Sequence, residues 1–173
     1  MESRLDYQHI APAAVQAMQA LETYVRQSGL ERSLLHLVKV RASQINGCAF
    51  CLDMHTREAR ADGESEERLY LLDVWREVPE YSERERAALA WTEAVTLVAD
   101  GHVPDAVYQS VTQQFTEKEL VDLTMAVVAI NGWNRLSISF RALPARHQVA
   151  TTVTAGANAR RGPQGSSAPS LRQ

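Results

Sequence analysis

The sequence predicts an all-α fold. Three observations carry that expectation: apolar residues recur at helical spacing, two helix-start capping boxes stand before long helices, and no run shows convincing strand alternation. At 173 residues and 45% hydrophobic content, the chain has the length of one domain. It can bury a core without help from disulfides or metals.

Ala13 to Gln27 is rich in Ala, Leu, Gln and Glu, follows Pro12 and stops before Gly29, the pattern of a helix with Pro near its start and Gly past its end. Leu34, Leu35, Leu37, Val38, Val40, Ala42 and Ile45 then form a dense apolar segment closed by Asn46-Gly47. Gly there can take the left-handed conformation that terminates a helix, so this segment reads as a mostly buried helix. Phe50 to Arg60 continues helically to the Asp62-Gly63 stop, and a short helical stretch from Glu66 to Trp75 precedes Pro79.

Ser82 with Glu85, and Thr116 with Glu119, are the capping boxes: a hydroxyl and a Glu three residues on satisfy helix-start amides reciprocally. The helix after Ser82 is expected to reach about Val98, with Ala88, Trp91, Ala94, Val95 and Val98 on one face. The helix after Thr116 carries Leu120, Val121, Leu123, Met125, Val127, Val128 and Ile130. It is apolar on nearly every side, which places it at the centre of the core or in a subunit interface. Pro104 to Val111 reads as a further short helix. Beyond His147 the composition turns to Ala, Thr, Gly, Ser, Pro and Arg, so a helical domain over 1–150 and a flexible tail over 151–173 are expected.

The net charge is −3 and the basic residues are scattered, which argues against a nucleic-acid footprint. The start lacks the apolar stretch of a secretory signal, and the apolar run Met125 to Ile130 is far too short to cross a bilayer. The expectation is a soluble, cytoplasmic protein without membrane or nucleic-acid partners. Thiols stay reduced in that compartment, so the two cysteines, Cys48 and Cys51, point to catalytic, redox-sensing or metal roles rather than to a structural staple.

If a helix begins at or near Cys48, then Cys51 lies one turn on and His55 a further turn beyond, on the same face. A thiol in the first turn of a helix sits near unsatisfied N–H groups and the positive end of the dipole, which favour the thiolate. His55 can take the thiol proton and return it near neutral pH. The arrangement suits a nucleophilic thiol that peroxide oxidises to a sulfenic acid and a neighbouring thiol captures as a disulfide. Cys51 is assigned as the attacking thiol because it is a single turn from His55. Cys48 is assigned to resolve it and to meet the reductant. A zinc site of Cys48, Cys51, His55 and His36 is the sharper rival, but structural zinc sites usually place paired cysteines on a tight turn, and this core needs no metal. No metal is expected at these residues.

The stretch LVKVRASQINGCAFCLDMHT, Leu37 to Thr56, resembles the core motif of the alkylhydroperoxidase AhpD branch of the carboxymuconolactone decarboxylase superfamily. The resemblance extends to Asn131-Gly132-Trp133-Asn134-Arg135 and in outline to most of Ala13 to Leu143. It implies an all-helical homo-oligomer, a trimer or hexamer, that reduces hydroperoxides with a thiol donor such as a dihydrolipoyl carrier. Cys48 and Cys51 match the family's redox pair and His55 its proton-relay histidine, and the resemblance implies no bound cofactor. Two positions depart from it: His36 stands where the best-known members have a relay Glu, and Phe50 where they have a His. His36 on the preceding helix is therefore a candidate relay group, reaching His55 through a water, and Phe50 makes the pocket less polar, which suits an organic hydroperoxide. Two other functions compete: a redox-sensing or disulfide-exchange module, and a lactone decarboxylase, which has no use for a dithiol.

Overall fold

The computed structural model describes residues 2–144. The tail over 151–173 and His147 lie outside the described residues. The elements are α1 (Tyr7–Ile10), α2 (Pro12–Gln27), α3 (Arg32–Asn46), α4 (Ala49–Ala61), α5 (Glu66–Leu71), α6 (Glu83–Thr96), α7 (Asp105–Thr112) and α8 (Glu117–Phe140), with 3-10 turns at Leu72–Glu77 and Val98–Asp100. No strand occurs among the described residues.

The apolar density of α3 decides the architecture. Leu34, Leu35, Leu37, Val38, Val40 and Ala42 are all buried, so α3 has to be covered on several sides, and α4, α6 and α8 pack around it. Each fully buried Leu or Val contributes about 1.5–3 kcal/mol. Two apolar clusters form on either side of α3. One joins Val38 and Leu34 to Trp91, Leu123 and Val127; the other joins Leu37 and Val40 to Leu72, Trp75 and Leu89. A buried polar latch ties α3 to α6: Arg41 Nε donates to Glu93 Oε1 at 2.8 Å, and Trp75 Nε1 donates to the same oxygen at 2.9 Å. On the far side α2 approaches α8 so closely that a Cβ on Gly132 would lie 2.7 Å from Met18 Cε.

The link between α3 and α4 builds the site. Gly47 takes φ 67°, its N–H donates to Gln44 O at 3.1 Å, and the N–H of Cys48 donates to Ser43 O at 3.0 Å. This pair of bonds is a Schellman termination. Cys48 is at once the last residue of that motif and the N-cap of α4, where its Sγ accepts from the N–H of Cys51 at 3.3 Å.

Both capping boxes form as expected. Elsewhere the elements differ in detail. The helix after Ser82 stops at Thr96, and Val98 is 49% exposed rather than on the buried face. The stretch 66–75 is α-helical only to Leu71 and continues as a 3-10 segment over Leu72–Glu77, kinked at Val74 with φ −114° and ψ 26°. The long α8 buries Leu120, Leu123, Ala126, Val127 and Ile130 but leaves Val121 and Val128 exposed.

Candidate functional site

The face of α4 that meets α3 carries Cys51, His55 and Ala59, all buried at successive turns. Cys48 and Cys51 are joined as a disulfide with their Cα atoms 5.4 Å apart, within the span a disulfide needs. Both cysteines are 1% exposed.

A cavity of about 390 Å³ opens beside them, and its wall includes Cys51, His55, His36, Phe50, Met54 and Trp133. That volume lies in the range of small-molecule sites. Cys48 is not on this wall; it packs with Ala42, Cys51 and Ile130. Of the four expected site residues, the cavity therefore gathers Cys51, His55 and His36. Cys48, expected to meet the reductant, lies behind Cys51 as seen from the cavity.

His55 Nδ1 lies 2.8 Å from Glu58 Oε2. The hydrogen bond from His55 holds Glu58's carboxyl below the ordinary carboxylate range, so Glu58 is ionised at neutral pH and the imidazole Nδ1 carries the donated hydrogen. In the neutral imidazole that arrangement leaves Nε2 as the lone-pair nitrogen. His36 is paired differently. Its Nε2 lies 2.5 Å from Asp62 Oδ2, and Arg32 Nε lies 2.6 Å from the same oxygen. His36 and His55 share the cavity wall while each has its own carboxylate.

Behind the disulfide a buried amide network fastens α3 to α8. Asn46 Nδ2 donates to Asn131 Oδ1 at 3.0 Å and Asn134 Oδ1 at 2.9 Å. Asn134 Nδ2 in turn donates to Ser43 Oγ at 3.2 Å, and Asn131 Nδ2 to Thr96 Oγ1 at 3.0 Å. Among the described residues no buried side-chain nitrogen or oxygen lacks a partner. Asn131 and Asn134 thus pack and fasten, whereas Trp133 between them reaches the cavity wall. No group of three or more His, Cys, Asp or Glu side chains that could hold a metal ion occurs among the described residues.

A helix-borne C-x-x-C with a histidine on the next turn is a recognisable arrangement, and known proteins resemble this chain along most of its length. A model of the carboxymuconolactone decarboxylase family matches residues 12–94. The uncharacterized protein YdfG of Bacillus subtilis (strain 168) is 45% identical over 139 residues, which span 80% of this chain and 95% of that protein. A crystal structure from Agrobacterium tumefaciens superposes with a TM-score of 0.81 at 48% identity, covering 83% of this chain and 98% of that one. It is described as a protein of unknown function provisionally assigned to antioxidant defence as AhpD. The chain belongs to the carboxymuconolactone decarboxylase family, in its AhpD-like branch.

A more distant AhpD core, an uncharacterized peroxidase-related protein from Ralstonia eutropha JMP134, shares the fold of this AhpD-like chain with a TM-score of 0.71 at 18% identity, over 81% of this chain and 75% of that one. Two features of the AhpD-like site go beyond the expectations from sequence. Glu58 was in principle legible, three residues after His55 on the same helix face. Tyr7, Arg26 and Trp133 reach the cavity from α1, α2 and α8, and nothing local in the sequence announces that.

Proposed function

We propose that this chain is a thiol-dependent peroxidase that reduces organic hydroperoxides through a Cys48/Cys51 dithiol–disulfide cycle, with His55 as proton relay. The observation that carries the reading is that Cys51, and not Cys48, shares a cavity with His55. In the oxidising half the Cys51 thiolate attacks one peroxide oxygen. The O–O bond breaks as the S–O bond forms, sulfur loses two electrons, and the alkoxide leaves as an alcohol with the proton held by His55. The Cys48 thiolate then attacks the sulfenic sulfur, forming the disulfide and releasing water.

The N–H of Cys51 that points at Cys48 Sγ favours the thiolate there, as the resolving step needs. The same hydrogen bond makes Cys48 a good leaving group when a donor thiol, entering through the cavity, attacks Cys51. A second donor thiol closes the cycle. The donor is a dithiol of dihydrolipoyl type or another dithiol, and the enzyme works as a cytoplasmic homo-oligomer, a trimer or hexamer. The exposed Val121 and Val128 on α8 favour such an assembly. His36, on the cavity wall and tied to Asp62, is a second relay group.

The test is steady-state hydroperoxide consumption with a dithiol donor. The wild type is expected to turn over many equivalents, Cys51→Ser none, and Cys48→Ser to accumulate a trappable sulfenic acid. Consumption limited to a single equivalent by the wild type would sink the enzyme reading in favour of a redox sensor.

A further inference from the structure

The charges around the cavity do not cancel, and the residue left over has a definite place. Lys39 is paired with Glu22, Arg32 with Asp62, and His55 with Glu58. Arg26, also on the cavity wall, lies one helical turn after Glu22 on α2, the spacing at which the two would ordinarily pair. Glu22 is instead committed to Lys39, a residue of α3. Among the described residues Arg26 has no side-chain hydrogen bond or ion pair. The remaining wall is largely apolar, with Leu35, Phe50, Met54 and Trp133 among its residues.

We infer that the cavity takes an anionic amphiphile, an aliphatic chain ending in a carboxylate, with Arg26 as the subsite for the acid group. The inference rests on the peroxidase reading for the substrate's reactive end, which makes the preferred substrate an organic hydroperoxide bearing a carboxylate. A guanidinium suits such a subsite, because its planar fork matches a carboxylate with two parallel N–H···O bonds and stays charged at any working pH. The apolar wall covers the aliphatic body. Arg26 is a specificity residue in this scheme and takes no part in proton transfer.

Binding separates this inference from the peroxidase reading, because it needs no turnover. Decanoate and decanol are titrated against the oxidised full-length protein by calorimetry, with wild type and Arg26→Gln side by side. Decanoate should bind wild type about tenfold more tightly than decanol, the order expected of a charge-assisted hydrogen bond at a partly open site. Arg26→Gln should bring decanoate down to the level of decanol and leave decanol unchanged. Equal binding of the two ligands by wild type, no binding of either, or an Arg26→Gln preference as large as that of wild type would each overturn the inference. If decanoate binds as expected but no hydroperoxide is consumed catalytically, the acid subsite stands and the peroxidase reading fails.

Discussion

Three of the longer helices, α4, α6 and α8, begin with a side-chain cap, and the contrast between them locates the chemistry. At α6 and α8 the cap is a hydroxyl reinforced by a glutamate: Ser82 with Glu85, and Thr116 with Glu119. Each first turn holds two acidic residues, Glu83 and Glu85 in one and Glu117 and Glu119 in the other, which offset the positive end of the dipole. At α4 the cap is the sulfur of Cys48, and the first turn has no acidic residue. Two helix starts are thus neutralised, while the third keeps its electropositive end beside two cysteines, a setting that favours a thiolate. On the proposed peroxidase reading, the same backbone device serves folding in one place and reactivity in the other.

The largest expected effect breaks the reactive start. Under reducing conditions Cys51→Ser should lower peroxide turnover by about a thousandfold or more, since it removes the proposed nucleophile. Steady-state rates at matched concentration check this, and retained turnover would put the chemistry elsewhere. The next effect lies one turn along α4. Glu58→Gln should reduce kcat about tenfold with KM unchanged, because Glu58 orients His55 through their hydrogen bond. A change confined to KM would instead make Glu58 a binding residue.

The two kinds of helix start are not equally legible in the sequence. Capping boxes depend on residues three apart, so Ser82/Glu85 and Thr116/Glu119 are readable from local pattern. Asn46-Gly47 likewise announces the end of α3, and with it the placing of Cys48 at the start of α4. The four-residue α1 gives no such signal because it is a single turn, capped by Asp6, whose side chain accepts from the N–H of His9. The end of α6 is not legible in the sequence, because no Gly or Pro follows Thr96 until Gly101. The chain breaks instead at Leu97, with φ −98° and ψ 31°. In the site, Cys51 and His55 are legible because they share one helix face. The partner of His36 is not, since Asp62 comes from the end of a different helix. Arg26 and Trp133 reach the cavity through the packing of α2 against α8 and of α8 against α3, a tertiary consequence with no local signature.

The neutralised starts make a quantitative prediction of their own. Glu119's carboxyl is held down to about 2, chiefly by the N–H of Thr116 that donates to it and then by Arg84. A carboxyl whose pKa is depressed by folding contributes its stability above the ordinary carboxylate value, and loses it as pH falls through that value toward the folded one. The wild type should therefore lose this share of stability between about pH 4.5 and 2. Glu119→Gln should be less stable than wild type at pH 7 and show a shallower decline over that acid range. Urea unfolding at a series of pH values measures both, and parallel wild-type and variant curves would count against the cap.

The smallest effect tests whether the sulfur of Cys48 caps α4 at all. Measured in excess reductant, so that no disulfide contributes, Cys48→Ser keeps an acceptor at the N-cap and replaces a weak sulfur acceptor with a stronger oxygen. It should match or exceed wild-type stability by a few tenths of a kcal/mol, whereas Cys48→Ala should lose about 0.5 kcal/mol. The ranking Ser, then Cys, then Ala in urea midpoints would establish that the side chain of Cys48, the proposed resolving thiol, also caps α4. Equal midpoints for Cys and Ala would mean that the Schellman turn through Gly47 alone positions Cys48. The comparison between the three helix starts would then rest on charge rather than on the cap.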